Sequence, residues 1–136
     1  MKKPNHHAKL IAAVAALVML GAIQAQAIIV NWRPVGITLG QTARVTADNT
    51  GTTAIIISGG KFLDSDGNVL AEFERQVIDP GKMISFDLNA DDIIRESNRI
   101  EIRGDLTADT SRGLLTSIEV FENDTGKTTV FIAGGK

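Results

Sequence analysis

The feature that most constrains the fold of this chain is a set of short segments in which apolar and polar residues alternate. Residues 42–47 alternate until Asn49-Thr50-Gly51 interrupts the pattern, and residues 84–88 repeat it after Pro80-Gly81. A period of two residues places the apolar side chains on one face of a β-strand, and the interrupting residues are those that form turns. The pattern therefore predicts strands joined by tight turns.

Between these segments, the sequence predicts a long strand followed by a hairpin. Residues 54–58 are a largely β-branched run, which is typical of a strand buried on both faces. Gly59-Gly60 indicates a bulge or bend in the same strand. Residues 64–68 (Asp-Ser-Asp-Gly-Asn) then predict a tight reversal into a strand over residues 69–73.

The second half of the chain continues the β pattern with one helical interruption. Asn89 can cap a short helix over residues 90–96. Residues 99–103 alternate between charged and isoleucine side chains, which predicts a half-exposed strand. Residues 105–113 are mostly polar, and we expect them to form a loop.

Residues 115–122 and 128–133 predict a final hairpin, joined by a turn in which Gly126 can adopt a positive φ. The chain then has seven to nine short strands and one helical turn. Strands of this spacing in about 100 residues favour an all-β fold, an antiparallel two-sheet immunoglobulin-like sandwich. We expect residues 28–136 to form this sandwich as a single domain.

Residues 1–27 have the features of a secretory signal peptide. Three lysines precede an apolar run over residues 10–23, and a small-x-small cleavage motif follows. We expect cleavage between Ala27 and Ile28, with Ala25 and Ala27 as the small residues of the motif. The mature protein is then secreted or periplasmic.

An uncleaved membrane anchor is the alternative. The apolar run has about 14 residues, whereas a membrane span needs roughly 20, but Ile28, Ile29 and Val30 could extend it across Gln24 and Gln26. An anchor on a lipidated cysteine is excluded, because the chain contains no cysteine. The shortness of the run favours cleavage, and we expect no membrane span afterwards.

Removal of the signal peptide takes away the residues on which much enzyme chemistry depends. Both histidines, His6 and His7, lie within it, and the chain has neither cysteine nor tyrosine. The mature sequence thus excludes Ser-His-Asp triads, Cys-His pairs, disulfides and zinc sites built from histidine or cysteine. We predict no catalytic residues, no cofactor and no metal ligands, and hence a protein that is not an enzyme.

The charge of the mature chain narrows the choice of partners. Loss of three lysines leaves 11 basic against 16 acidic residues, so the formal net charge changes from −2 to −5. A mildly acidic domain without a lysine or arginine cluster does not favour binding to nucleic acid or anionic lipid. The predicted partner is therefore an unidentified protein or glycan.

The acidic turn over residues 64–68 raises the question of a calcium site. An EF-hand aligned on Gly67 would place Phe62 and Phe73 at ligand positions, and phenylalanine side chains carry no oxygen. The EF-hand is therefore excluded. A looser surface cation site stays open beside the simpler interpretation, in which Asp, Asn and Gly serve the turn itself.

Asp91, Asp92 and Glu96 form a second acidic group. Glycosidases use paired carboxylates roughly 5–10 Å apart across a cleft, but adjacent residues at a helix start point in different directions. Favourable interaction with the helix N-terminus explains the two aspartates more simply.

Trp32 and the charged residues of the 99–103 segment each have two interpretations. Trp32 can cover one end of a sandwich core or, with Arg33, bind a ligand. Arg99, Glu101 and Arg103 can form a docking surface or a solvated, mutually neutralising face. For both groups we prefer the structural interpretation.

Four stretches support a resemblance to known proteins, namely residues 40–45, 62–70, 79–82 and 118–129. In these stretches the chain resembles a group of small exported bacterial immunoglobulin-like β-sandwich proteins that carry no assigned activity. The last hairpin is the most specific part. The resemblance implies a fold and a compartment, and it implies no catalytic residue.

Three classes of function follow. The first is a non-catalytic module that recognises a protein or glycan in the bacterial envelope through loops such as residues 105–113. The second is an assembly subunit that pairs through edge strands, with Pro34 and residues 130–132 as the places to examine. The third, a carboxylate-dependent hydrolase, is the least favoured.

Overall fold

The computed structural model of the protein describes residues 26–95 and 99–134. Within these ranges the chain forms ten β-strands and one short helix. In chain order they are β1 Ile28–Asn31, β2 Val35–Ile37, β3 Gln41–Asn49, β4 Ile55–Asp64, β5 Val69–Phe73, β6 Gln76–Ile78, β7 Met83–Asn89, α1 Ala90–Ile93, β8 Ile100–Ala108, β9 Leu114–Glu122 and β10 Thr128–Ala133.

The strands form two antiparallel sheets. One sheet has the order β10-β9-β3-β7. The other has the order β1-β8-β4-β5, with β2 also paired to β8 and β6 also paired to β4. Because β1 and β2 lie end to end along β8, and β5 and β6 lie end to end along β4, this second sheet is also four strands wide.

Most of the core consists of apolar residues from the predicted strands, and Leu106, which lies in the expected polar loop, is an exception. Val45 and Ile118 of one sheet and Ile57, Ile102 and Leu106 of the other are fully buried in one cluster. Burial of such a side chain stabilises the folded state by roughly 1.5–3 kcal/mol. The chain contains no cysteine, so strand pairing holds each sheet together and packing of this core holds the two sheets to each other.

Three aromatic rings pack together where the edge strands β5 and β7 face each other, with Phe62 in the core and the other two partly buried against it. Phe73 stacks on Phe86 with ring centroids 3.9 Å apart, and it meets Phe62 in an edge-to-face contact at 6.0 Å. The Phe73 ring occupies the space above Gly60, where a Cβ atom would lie 2.1 Å from the ring. Glycine at this position therefore allows the rings to join the two sheets along this side.

Several local predictions are confirmed. The register between β4 and β8 shifts at Gly59, where the bulge was expected. Residues 64–68 form the turn between β4 and β5, and Gly126 has a φ of 68° in the turn between β9 and β10. Asn89 caps α1, since its side chain accepts a hydrogen bond from the backbone N–H of Asp91.

The predicted polar loop over residues 105–113 is wrong in its first half. β8 continues to Ala108, and Leu106 and Ala108 are fully buried. Asp105 and Thr107 alternate with these two residues and lie on the outer face of the sheet. The segment thus has the period of two of a strand, but it has too few apolar residues for the sequence to show it. Pairing with β1 on one side and β4 on the other stabilises this strand in spite of its polar sequence.

The run over residues 54–58 is buried on one face and not on both. Ile55 and Ile57 lie in the core, whereas Ile56 is half-buried and Ser58 is exposed. No second layer covers the outer face of this sheet in the described ranges. The β-branched run thus reflects strand propensity as much as burial.

The predicted helix over residues 90–96 is too long. α1 ends at Ile93, and Ile94 adopts an extended conformation that buries its side chain in the core. Residues 96–98 lie outside the described ranges. Tertiary packing of Ile94 therefore prevails over the local helical tendency.

The number of strands also exceeds the expected seven to nine. The additional strands arise because each edge of the β8–β4 sheet is split into two short pieces, β1 with β2 and β5 with β6. Pro34 lies in one gap, and Glu74 and Arg75 lie in the other. Short edge pieces of this kind lack the long alternation from which a strand can be predicted.

Candidate functional site

The edges of the two sheets differ in how well they are protected against pairing with another strand. An exposed edge presents unpaired N–H and C=O groups, which proteins commonly protect by proline, charge or interruption. The β1–β2 edge is interrupted near Pro34, and the β5–β6 edge is interrupted at Glu74 and Arg75. β7 carries the charged side chain of Asp87. Three edges therefore have a protective feature.

β10 has neither a charged residue nor proline. Its sequence is Thr-Thr-Val-Phe-Ile-Ala. The strand pairs with β9 on one side only. Its largest side chain, Phe131, is 62% exposed. An uncharged, β-branched edge with an exposed aromatic side chain is suited to pairing with another strand.

The hydrogen bonds to β9 show which backbone groups of β10 face outward. Just beyond the strand, the N–H of Gly134 donates to the C=O of Thr116 at 2.7 Å. In an antiparallel pair, hydrogen-bonded and non-hydrogen-bonded positions alternate. Ile132, two residues before Gly134, therefore directs its backbone groups to β9. Phe131 and Ala133 direct their N–H and C=O groups to the free edge.

Near Thr129 the edge is irregular. The register with β9 shifts between Thr128 and Val130, and the hydroxyl of Thr129 donates to the C=O of Val120 at 3.1 Å. A bulge of this kind increases the local twist and ends regular pairing. The regular part of the edge is thus residues 130–133.

On the outer face of the same sheet, side chains of β3, β7 and β9 are in contact with one another. Arg44 forms a bidentate ion pair with Asp87, with both N···O distances 2.7 Å, and its guanidinium carbon lies 5.0 Å from the centre of the Phe121 ring. The hydrogen bond to Asp87 raises the pKa of Arg44. Phe121 is therefore covered by a cation, whereas Phe131 remains open.

The signal-peptide cleavage residues fall at the border of the described part of the chain. Ala25 lies outside it, Ala27 is exposed, and β1 begins at Ile28. Cleavage after Ala27 would therefore leave every strand complete.

The acidic turn is held by its own first residue. One carboxylate oxygen of Asp64 accepts hydrogen bonds from the backbone N–H groups of Asp66 and Asn68, and the other accepts one from the side chain of Asn68 at 2.8 Å. These bonds, led by that from the Asn68 side chain, lower the pKa of Asp64. Both oxygens thus serve the turn, which supports the simpler interpretation over a cation site.

We expect the carboxyl group of Asp64 to titrate below its ordinary value of 3.8. Because its pKa is lower in the folded state, its contribution to stability is present above the unfolded pKa and is lost as the pH falls through the folded pKa. The measurement is a carbon NMR titration of the side-chain carboxyl. Asn68→Ala removes one hydrogen-bond donor and should raise the titration midpoint of Asp64. A midpoint at or above 3.8 in the unmodified protein would contradict the prediction.

The cation site at the same turn has its own test. An equal melting temperature of the protein in chelator and in millimolar calcium would exclude this site.

The second acidic group is dispersed. Asp91 accepts hydrogen bonds from the N–H of Gly40 at 2.7 Å and from the side chain of Asn123 at 3.3 Å, and thereby links two turns to α1. Asp92 is exposed, and Glu96 lies outside the described ranges. The role of Asp91 is thus to join two turns to α1 at one end of the sandwich.

Trp32 follows the structural interpretation, whereas the charged segment fits both a solvated face and a docking surface. Trp32 is 3% exposed and belongs to the core, while the neighbouring Arg33 is exposed. Arg99, which directly precedes β8, and Glu101 of β8 form an exposed ion pair at 2.8 Å. The sequence indicated two places for pairing through edge strands. Pro34 interrupts one edge of a sheet, whereas residues 130–132 form part of the β10 edge. Which backbone groups of β10 face outward could not be predicted, because this depends on the register with β9.

No protein-family model, curated protein or solved structure matches this chain. In residues 26–95 and 99–134, no helix has the length and apolar character needed to cross a membrane.

Proposed function

We propose that this chain is an exported, non-catalytic module of the bacterial envelope that recognises another protein by adding a strand to the edge of β10. The observation that carries the proposal is the contrast between residues 130–133, a regular stretch of edge without charge or proline, and the other three edges, which carry charge or are interrupted. Strand addition combines backbone hydrogen bonds, which give affinity, with side-chain contacts, which give selectivity. Phe131 is the side chain placed to make such a contact.

The arrangement of the central strands supports an immunoglobulin-like classification. Immunoglobulin domains pair their second and fifth strands in one sheet and their third and sixth strands in the other. When β1–β2 and β5–β6 are each counted as one edge strand, β3 pairs with β7 and β4 pairs with β8 in the same way. The edge strands β1–β2 and β5–β6 and the strand β9 lie in the opposite sheets from their immunoglobulin counterparts, so the likeness is limited to the central strands. Rigid sandwiches of this kind suit recognition.

Export is supported by the position of the cleavage motif immediately before β1. We expect the protein isolated from its host to begin at Ile28 and to be recovered outside the cytoplasm. N-terminal sequencing after cell fractionation tests this. An intact Met1 in the cytosolic fraction would contradict export, and an intact Met1 in the membrane fraction would indicate the uncleaved anchor.

The binding role of the edge can be tested with a photo-crosslinking amino acid, benzoylphenylalanine, in the living host. Placed at Phe131, it should form an adduct with one defined protein. Placed at Leu115, which is 59% exposed on the central strand β9, it should not. If the two positions give the same adducts, or neither gives any, recognition through β10 is wrong.

A further inference from the structure

We propose that the strand added to β10 is the β10 of a second copy of this chain, so that the two four-stranded sheets join across a two-fold axis. This inference rests on the proposed function, because it names the partner of the same edge. A contact of this type is isologous, and it closes after two copies without growing into a fibre.

Charge is the first argument for a second copy. In an antiparallel pair of identical strands, residues near the axis lie close to their own copies, and like charges directly opposite are destabilising. β10 has no charged side chain, so it pairs with itself without this repulsion. β7, the other long edge, carries Asp87 and uses it to hold Arg44.

The direction of the backbone groups defines the register. With the axis at Ile132, Phe131 of each copy lies opposite Ala133 of the other. These are the residues whose N–H and C=O groups face the free edge, so each of the two pairs forms two hydrogen bonds, four in all. This register uses only the regular part of the strand and avoids the bulge at Thr129.

The side chains fit the same register. Phe131 lies beside the small Ala133 of the other copy on the outer face, so that a large side chain meets a small one. Ile132, which is half-buried at the edge of the core, lies opposite its own copy. Pairing would thus cover apolar surface on both faces of the joined sheet.

A single introduced cysteine tests the register, because the chain contains no cysteine of its own. At a non-hydrogen-bonded antiparallel position, opposed Cα atoms are about 4.5 Å apart, which is within the range for a disulfide. We expect Ile132→Cys in the mature protein to form a covalent dimer under mild oxidation. Leu115→Cys, on β9, should remain monomeric under the same conditions. Equal crosslinking of the two variants would overturn the register.

Sedimentation equilibrium of the mature protein tests the association itself. We expect a concentration-dependent dimer, and we expect Phe131→Pro to raise its dissociation constant about 10-fold to 100-fold, since two hydrogen bonds across the axis are lost. The removed N–H faces away from β9, and edge strands tolerate proline, so circular dichroism should show a folded variant. Leu115→Lys should retain the dimer.

The outcomes separate this inference from the proposed function. A protein that remains monomeric at all concentrations, but whose photo-crosslinker at Phe131 captures a different protein, overturns the second copy and leaves recognition through β10 intact. A monomer without any such adduct overturns both. A dimer that Phe131→Pro does not weaken overturns the self-pairing of β10.

Discussion

Replacement of Asn49 by alanine is expected to lower the free energy of unfolding by about 3 kcal/mol or more. Asn49 is fully buried at the end of β3. Its side-chain amide donates to the carbonyl groups of Thr53 and Ile78, both at 2.8 Å, and its oxygen accepts from the N–H of Gly51 at 3.0 Å. Alanine would leave three backbone groups without their partner.

Asn49→Asp gives a sharper test, because it preserves the shape and removes the donor. The new carboxyl group would face two carbonyl oxygens in a buried site, so its folded pKa should lie above its unfolded value. Between these two pKa values the folded state binds more protons, and the stability of the variant should fall as the pH rises from about 4 to 7.

Urea unfolding at about pH 4 and about pH 7 checks the predictions for the two Asn49 variants. The fluorescence of the single tryptophan gives the signal. The matched control is Asn31→Asp on β1, where the asparagine is exposed. Its effect should stay within about 0.5 kcal/mol. The assigned hydrogen bonds would be contradicted if the Asn49 variants lost no more free energy of unfolding than Asn31→Asp. They would also be contradicted if the stabilities of Asn49→Ala and Asn49→Asp had the same pH dependence.

Trp32→Ala is expected to cost about 3–5 kcal/mol of stability, the usual range for removing a large buried aromatic ring. The ring is 3% exposed and lies against Gly104, where a Cβ atom would be 3.0 Å away. Its Nε1 is buried and has no hydrogen-bond partner within the described part of the protein. Phenylalanine at this position would therefore break no hydrogen bond between described residues.

Trp32→Phe separates the contribution of the aromatic ring from that of the indole N–H. It keeps part of the ring and removes an N–H that has no acceptor among the described residues, so we expect less than half the loss of stability found for Trp32→Ala. Thermal unfolding by circular dichroism measures both variants, and Leu39→Ala, at a side chain that is 53% exposed, serves as the surface control. If Trp32→Phe and Trp32→Ala lost the same stability, packing of the aromatic ring would not be the source of the stabilisation.

The candidate site could be predicted only in part. The uncharged residues 130–132 were visible in the sequence as a possible pairing strand. The sequence did not show that Pro34 and the residues Glu74 and Arg75 interrupt two other edges, because the adjoining strands are too short to show a period. It also could not show that Phe131 directs its backbone outward, because that follows from one hydrogen bond between Gly134 and Thr116.

The sequence by itself determined the β class, most turns and the absence of histidine and cysteine from residues 28–136, because these depend on residue type and on a period of two. The tertiary structure alone decided that residues 105–108 are a strand, since pairing on both sides outweighs their polar composition. It also ended α1 at Ile93, where burial of Ile94 outweighs local propensity. Edges, registers and the environment of Asn49 depend on contacts between residues that are distant in sequence, and no local pattern specifies them.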